Sequence, residues 1–506
     1  MKLNVSNYIN GRFTQSTGKN FIVVQNPTNG EELTKTPLST QEELNEAINF
    51  AQVAFKLWSK TPVQERVQPL FKLKQKLEAN LTEIAKVLTL ENGKTLKEAQ
   101  GDLLRGLQMV EVACGMTSFQ MGEFLNDVAQ GIDSQMIRRP LGVFAGICPF
   151  NFPAMIPFWF WPFAVASGNT FILKPSERVP LTQMKIFELI SECGFPPGVI
   201  NMVHGAKEIV NGLLEHPLIK GVSFVGSTPV AQHIYQHGAK HLKRVQSLGG
   251  AKNYMVILED ADFELSIKAM VDSCYGCAGE RCLAGSILVG VGDAAYEKLK
   301  KHVLAEVKKV KIGNPLLPET TLGPVISKEA KNRIIEDINK AIEQGAHLLV
   351  DGRAVHQDNL PGELSSGHFL GPTVLSEIST SMEIAHKEIF GPVIGLLKVN
   401  NLDEAIEAIN KINYANTASL FTNHAPSIRK FNMSVDPAMI GINLGVPAPM
   451  AFFSFGGSKN SFFGDVKAHG RDAIHFYTEK QTIMSRFFGQ DLSANNAINP
   501  QWGKSN

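Results

Sequence analysis

Gly221-Val222-Ser223-Phe224-Val225-Gly226-Ser227-Thr228-Pro229 reads as a buried strand entering a Gly-Ser-Thr turn and then a helix. Proline suits the first helical turn, where its missing N–H would have no partner anyway. Backbone N–H groups and the positive end of the helix dipole make such a start an anion site, so Gly226 and Ser227 are candidate phosphate contacts. A plain strand-to-helix connection is the alternative, and no G-x-G-x-x-G fingerprint occurs in the chain. The same rhythm extends both ways. Strands are expected at 141–148, 170–174, 199–203, 222–225 and 244–248, with a helix over 181–193. A second series follows, with strands at 255–258, 286–291, 348–350 and 393–399 and helices at 264–274, 294–310 and 328–344. Short apolar strands alternating with helices indicate an α/β fold with parallel sheets covered on both faces.

The first third is helical. Thr40-x-x-Glu43 is a capping box opening a helix with Leu44, Ile48, Ala51, Phe55 and Trp58 on one face. A second helical pattern runs over 63–90 and stops near Asn92-Gly93.

At 506 residues the chain exceeds one core, so two or three domains are expected. Apolar residues at 44% and a net charge of +1 describe a globular protein without a field for nucleic acid or anionic membrane, and neither is expected as a partner. Six irregularly spaced cysteines do not form a disulfide framework, and residues 1–6 carry no signal core, so a reducing cytoplasm is expected. No charge falls between Arg139 and Lys174, yet Pro153, Pro157 and Pro162 argue against a membrane span and for a buried wall beside a ligand.

Four further stretches carry chemistry. Cys282 sits in Ala278-Gly279-Glu280-Arg281-Cys282-Leu283-Ala284-Gly285, a glycine-bounded turn where the adjacent Arg281 favours the nucleophilic thiolate; a buried structural cysteine is the alternative. In Lys174-Pro175-Ser176-Glu177-Arg178, Lys174 and Glu177 can hydrogen-bond ribose hydroxyls and Arg178 can lie along an adenine. The Glu177 carboxylate would repel a 2′-phosphate, which favours NAD over NADP; a solvated charged loop is the alternative. In Pro149-Phe150-Asn151-Phe152-Pro153 an amide in a charge-free run needs a partner, either structural or a developing oxyanion. In Glu388-Ile389-Phe390-Gly391-Pro392-Val393, Glu388 can accept from the nicotinamide ribose while Phe390 packs beside the ring, unless the segment is only a turn into a strand.

Taken in order, P-F-N-F-P, K-P-S-E, F-V-G-S-T, G-G-A-K, G-E-R-C and E-I-F-G-P-V resemble the aldehyde dehydrogenase superfamily along nearly the whole chain. The resemblance implies a Rossmann-like NAD domain at 1–123 and 140–248, an α/β catalytic domain at 249–446, a small β oligomerisation arm at 124–139 and 447–490, a tail at 491–506, and a homotetramer. It also implies that Cys148, Phe150 and Gly249 join Lys174, Glu177, Arg178, Gly226, Ser227, Glu388 and Phe390 around NAD. Cys282 would attack the aldehyde, Asn151 and the Cys282 N–H would hold the oxyanion, and hydride transfer would leave a thioester on Cys282.

Hydrolytic members carry E-L-G-G-K, whose Glu activates water. Here the segment is Gln246-Ser247-Leu248-Gly249-Gly250-Ala251-Lys252-Asn253, with Ser247 or Leu248 at that position depending on the match. The acyl enzyme should therefore wait for a thiol, coenzyme A. Gly101-Asp102-Leu103-Leu104-Arg105-Gly106-Leu107, Glu91-Asn92-Gly93-Lys94-Thr95 and Phe453-Ser454-Phe455 resemble the methylmalonate-semialdehyde dehydrogenase branch. There Arg105 and Arg281 would bind the carboxylate of a small-molecule aldehyde substrate. Gly249-Gly250-Ala251 and Gly457-Ser458-Lys459-Asn460 depart from the branch's wording. Three rivals remain: a hydrolytic aldehyde dehydrogenase, a silent binding protein on the same fold, and a metal or redox protein built on Cys274-x-x-Cys277 with Cys282. Without a second CxxC or a nearby His pair, no metal is assigned.

Overall fold

A computed structural model describes residues 4–355 and 362–487. The expected tail, and residues 488–490 of the expected arm, lie outside the described residues.

Strands with unbroken apolar runs end up covered on both faces, and two large sheets are built that way. In the first, the spatial order is Arg12–Thr14, Asn7–Ile9, Ile200–Met202, Thr170–Lys174, Val143–Ile147, Ile219–Val225, Arg244–Leu248 and Phe462–Phe463. The five middle strands run parallel, and the pairs Asn7–Ile9/Ile200–Met202 and Arg244–Leu248/Phe462–Phe463 are antiparallel. The second sheet runs His347–Val350, Thr373–Ser376, Val393–Val399, Gly285–Val291, Asn253–Ile257, Thr417–Phe421 and Met439–Ile442, parallel except at its first pair. Thr373–Ser376, Thr417–Phe421 and Met439–Ile442 have no counterpart among the expected strands.

A third, antiparallel sheet joins Glu123–Ala129, Ile132–Pro140 and Thr478–Arg486, with Thr478 opposite Pro140 and Arg486 opposite Ile132. Of the described part of 447–490, Thr478–Arg486 joins this sheet. Phe462–Phe463 pairs with Arg244–Leu248, and helix Gly470–Tyr477 packs on helix Trp161–Ala166. The reason is apolar surface: Phe462, Ile474, Phe476 and Tyr477 are buried in the core around the first sheet, whereas arm residues Phe124, Leu125 and Met484 are exposed.

The capping box forms as expected, with Thr40 Oγ1 accepting from the Glu43 N–H and Glu43 accepting from the Thr40 N–H. The 63–90 pattern instead breaks into Val63–Arg66, Gln68–Ala79 and Leu81–Asn92. Pro69 lies in the first turn of the middle helix, and at the next joint the Asn80 side chain donates back to the Lys76 carbonyl at 2.8 Å. The proline-punctuated wall is two short helices, Met155–Phe158 and Trp161–Ala166, with Trp159, Phe160 and Trp161 fully buried. Among the described residues no helix is long and apolar enough to cross a membrane.

Gly93, left-handed at φ 91°, ends helix Leu81–Asn92, and Thr95 caps helix Leu96–Cys114. Between them Lys94 turns inward and meets Asp102 at 3.2 Å, both side chains essentially without exposure. Removing one partner of a buried ion pair costs about 3–5 kcal/mol, against about 0–1 kcal/mol for an exposed one. Lys94→Met should therefore lose stability in that larger range by denaturant titration, while Lys86→Met, at an exposed pair with Glu83, stays near the parent. Equal effects would show that the buried pair is not structural.

Candidate active site

Helix Phe263–Tyr275 ends in a turn where Cys277 (φ 54°), Ala278 (φ 53°) and Gly279 (φ 74°) are all left-handed. Side chains with a Cβ rarely adopt this backbone, and it persists only when neighbours impose it. Glu98 Oε1 accepts from the Cys277 N–H at 2.6 Å. Gly279 lies against the Gly391 carbonyl, where a Cβ would come within 2.2 Å of the oxygen, so only glycine fits. After the turn, the Cys282 carbonyl accepts from Asn253 Nδ2 at 2.8 Å and Asn416 Nδ2 at 3.1 Å. The backbone N–H groups of Cys282 and Leu283 are left turned toward the thiol.

Asn151 is delivered to the same place. Its Nδ2 donates to the Glu280 carbonyl at 3.0 Å, while Lys94 Nζ donates to the Asn151 carbonyl at 2.6 Å and Asn92 Nδ2 to the Phe150 carbonyl at 3.0 Å. One amide N–H remains to be offered beside the Cys282 turn.

The thiol itself departs from expectation. Burial first, and the nearby Glu388 second, push the Cys282 thiol up to about 12 against the pull of Arg281. The Arg281 guanidinium favours the thiolate, as its place beside Cys282 suggests, while its Nη2 bonds Cys277 Sγ at 3.3 Å, and burial outweighs that pull. Cys274 and Cys277 are buried free thiols, also pushed up by burial.

Cys282 and Arg281 line a cavity of about 250 Å³ together with Arg105, Phe152, Trp159 and Phe455. Arg105 reaches it from helix Leu96–Cys114, its Nη2 donating to the Pro449 carbonyl at 2.8 Å and its Nη1 to Gln108 Oε1 at 3.0 Å. Gly106, next in the chain, lets the helix touch Phe158, where a Cβ would come within 2.7 Å. Among the described residues neither Arg105 nor Arg281 forms an ion pair with a carboxylate. Both guanidiniums thus line a cavity walled by aromatic rings. His469 also lines the cavity and was not anticipated. Its buried ring is held neutral at about 3, first by burial and also by Arg105, against the Phe453 and Ala451 carbonyls.

Neither residue at the position of the missing carboxylate can activate water. The Ser247 hydroxyl donates to the Ala231 carbonyl at 2.8 Å, and Leu248 is buried in the core. Nearby carboxyls are engaged: Glu98 with Thr95 and Cys277, Asp102 with Lys94 and the Met155 N–H, Glu280 with the Ile326 N–H, and Glu388 with the Ala251 N–H.

Lys174 closes strand Thr170–Lys174 at the carboxyl edge of the first sheet. Lys174 Nζ meets Glu177 Oε2 at 2.7 Å, and the Glu177 carbonyl accepts from Thr36 Oγ1 at 2.8 Å. Burial pushes the Glu177 carboxyl up, but Lys174, with help from Arg178, holds it below its ordinary value. Arg178 is exposed and Cys148 buried, with the Cys148 N–H donating to the Lys174 carbonyl at 3.1 Å. Helix Thr228–Lys240 starts after Gly226 and Ser227 without a side-chain cap, leaving its first N–H groups outward. The Gly249 N–H bonds the Ser461 carbonyl, and a Cβ on Gly250 would come within 2.5 Å of Glu388 Oε2. Burial pushes the Glu388 carboxyl up to about 7. Phe390, left-handed at φ 53°, stands edge-on to Phe150 at 6.0 Å between ring centroids.

A family model for the aldehyde dehydrogenase family matches residues 13–483. The chain belongs to the aldehyde dehydrogenase family. Among curated relatives, it is 47% identical over 485 residues to malonate-semialdehyde dehydrogenase 2 of Geobacillus kaustophilus, covering 96% of this chain and 99% of that one. It is also 47% identical to malonate-semialdehyde dehydrogenase of Halalkalibacterium halodurans, covering 96% and 98%. Two solved structures, each 39% identical with a TM-score of 0.94, are a Sinorhizobium meliloti 1021 chain assigned as methylmalonate-semialdehyde dehydrogenase and complexed with NAD, and the methylmalonate-semialdehyde dehydrogenase of Oceanimonas doudoroffii. They cover 97% and 96% of this chain and 99% of their own.

In this aldehyde dehydrogenase the supporting amides of Asn92, Asn253 and Asn416 went unread in the sequence. Asn92 and Asn253 stand inside motifs quoted above, so a polar residue in a buried motif was the signal; Asn416 had none. With the Cys282 thiol raised to about 12, thiolate rises tenfold per pH unit below that value, so iodoacetamide inactivation of the ligand-free enzyme should climb about tenfold per unit from pH 7 to 9. A plateau below pH 8.5 would show that the resting thiol is already activated.

Proposed function

We propose that the protein oxidises malonate semialdehyde or its 2-methyl homologue with NAD and delivers the shortened acyl group to coenzyme A. The observation that carries this reading is the cavity. It presents Arg105 and Arg281, neither of them in an ion pair among the described residues, beside Cys282, and neither Ser247 nor Leu248 brings a carboxylate to the thiol. The relatives' names point to the same substrate class. The carboxyl edge of the first sheet fits a dinucleotide: an uncapped helix start for the pyrophosphate, glycines at 249 and 250, Glu388 at one end and the Lys174–Glu177 pair at the other. The first sheet is read as the NAD domain, the second as the catalytic domain, and the third as the arm.

Arg105 and Arg281 hold the substrate carboxylate and so aim the aldehyde carbon at the sulfur. The Cys282 thiol gives up its proton and its sulfur bonds the aldehyde carbon. The resulting oxyanion accepts hydrogen bonds from Asn151 Nδ2 and the Cys282 N–H. Bound NAD supplies the hydride acceptor, which converts the adduct to a thioester on Cys282. The carboxylate then leaves as CO2, its bonding electrons passing through the α-carbon into the thioester carbonyl, and the enolate takes a proton. The coenzyme A thiolate adds to the carbonyl carbon and expels the Cys282 thiolate, giving acetyl-CoA or propanoyl-CoA. Ser247 and Leu248, lacking a carboxylate, leave water a poor competitor.

The test is a substrate panel scored by product, with and without coenzyme A. Semialdehydes bearing a β-carboxylate should give acyl-CoA and sustained NADH only when coenzyme A is present, and Cys282→Ala should be inactive. Arg105→Ala should lower kcat/KM for those semialdehydes at least about tenfold, equivalent to the roughly 1.5–3 kcal/mol of a charge-assisted hydrogen bond, and leave propanal nearly unchanged. Full turnover to free acid without coenzyme A overturns the acylating reading.

The reading extends to a homotetramer in the cytoplasm. Six free cysteines suit a reducing compartment, and Phe124, Leu125 and Met484 give the arm apolar surface to bury against a second copy. Light scattering of the full chain should give the mass of four chains; a monodisperse monomer overturns it.

A further inference from the structure

Helix Thr228–Lys240 carries His233, His237 and, at its C-cap, His241, spaced four residues apart and so stacked along one face. The rings of His233 and His237 lie 5.2 Å apart, and those of His237 and His241 4.9 Å. The neighbouring helix Lys207–Glu215 brings Glu215, its last residue, to this ladder, with Glu215 Oε1 2.9 Å from His237 Nε2. Among the described residues, Glu215, His237 and His241 are the one group of three or more such side chains whose ligand atoms all lie within 4.8 Å of one another. The sequence reading, looking for His near the cysteines, passed over this pair.

We propose that Glu215, His237 and His241 form a binding site for a divalent transition-metal ion of the zinc class, on the groove between these two helices. Three features converge. Two imidazoles at i and i+4 with one carboxylate are a ligand set for zinc, with a fourth position left to water. Imidazole nitrogen selects zinc, nickel or copper over magnesium or calcium, which prefer all-oxygen cages. Both helices end here, Glu215 closing one and His241 capping the other, so the negative ends of two helix dipoles face the site and favour a cation. Tetrahedral coordination needs ligand atoms roughly 3.4 Å apart. Side-chain rotation suffices to bring them in, since Glu215 is exposed and both rings half-buried. Two groups nearby are already committed. His233 Nε2 bonds Asn211 Oδ1 at 3.2 Å, orienting the ladder, and Lys243 Nζ donates to the His216 and Ile219 carbonyls at 2.7 and 2.9 Å.

The site lies at the end of the helix opposite Gly226 and Ser227, so it is separate from the catalytic apparatus and independent of the proposed reaction. A bound ion would clamp the far end of the cofactor-side helix to its neighbour.

The test uses the untagged full chain, stripped with chelator and titrated with Zn2+ by calorimetry and with Co2+ by absorption. One ion per chain should bind with micromolar affinity, Co2+ should show visible d–d bands without a thiolate charge-transfer band, and Zn2+ should raise the melting temperature. His237→Gln and His241→Gln should each weaken binding at least about tenfold, and His424→Gln, on another element, should not. Circular dichroism checks that these surface variants are folded. Binding unchanged in both ladder variants, a thiolate band, or no binding at sub-millimolar Zn2+ overturns the proposal.

Discussion

The buried ammonium of Lys94 is the contact on which the rest of the site depends. Taking an ion out of water costs several kcal/mol, and that cost is offset only when its donors are filled. Here Asp102 supplies the charge, the Asn151 carbonyl a hydrogen bond, and the Phe152 ring a face 3.9 Å from the nitrogen. Each partner belongs to a different functional part. Asp102 sits on the helix that carries Arg105 and also accepts from the Met155 N–H at 2.7 Å. Asn151 bonds the Glu280 carbonyl two residues before Cys282, and Phe152 is a wall of the cavity. One charge thereby holds the Arg105 helix, Asn151 and the wall in register.

Electrostatics divide the work of the pocket. It presents two cations, neither in an ion pair among the described residues. Burial and Glu388 raise the resting thiol against the pull of Arg281, whose Nη2 also bonds Cys277 Sγ.

The sequence was most legible where chemistry and backbone geometry coincide. Strands Thr170–Lys174, Arg244–Leu248 and Val393–Val399 match their expected bounds because a buried apolar run between turns admits one reading. The fold class and the family followed from motifs spread over the chain. Thr417–Phe421 was missed because Thr-Ala-Ser is only weakly apolar, although every residue of the strand is buried. The break at Asn80 was hidden because the apolar spacing continues through it. The raised thiol was not legible because burial is a tertiary property, and it outweighs the pull of Arg281 that adjacency in sequence does reveal. Such departures are tertiary, and local pattern does not contain them.

Gly279 resting on the Gly391 carbonyl welds two loops that stand far apart along the chain. One carries the sulfur and the other ends at Glu388 and Phe390. With no room for even a methyl group between them, neither loop can shift without carrying the other along. A bulkier residue at position 279 would displace the Glu388 segment as much as the Cys282 turn, so a single substitution would be felt in two places at once.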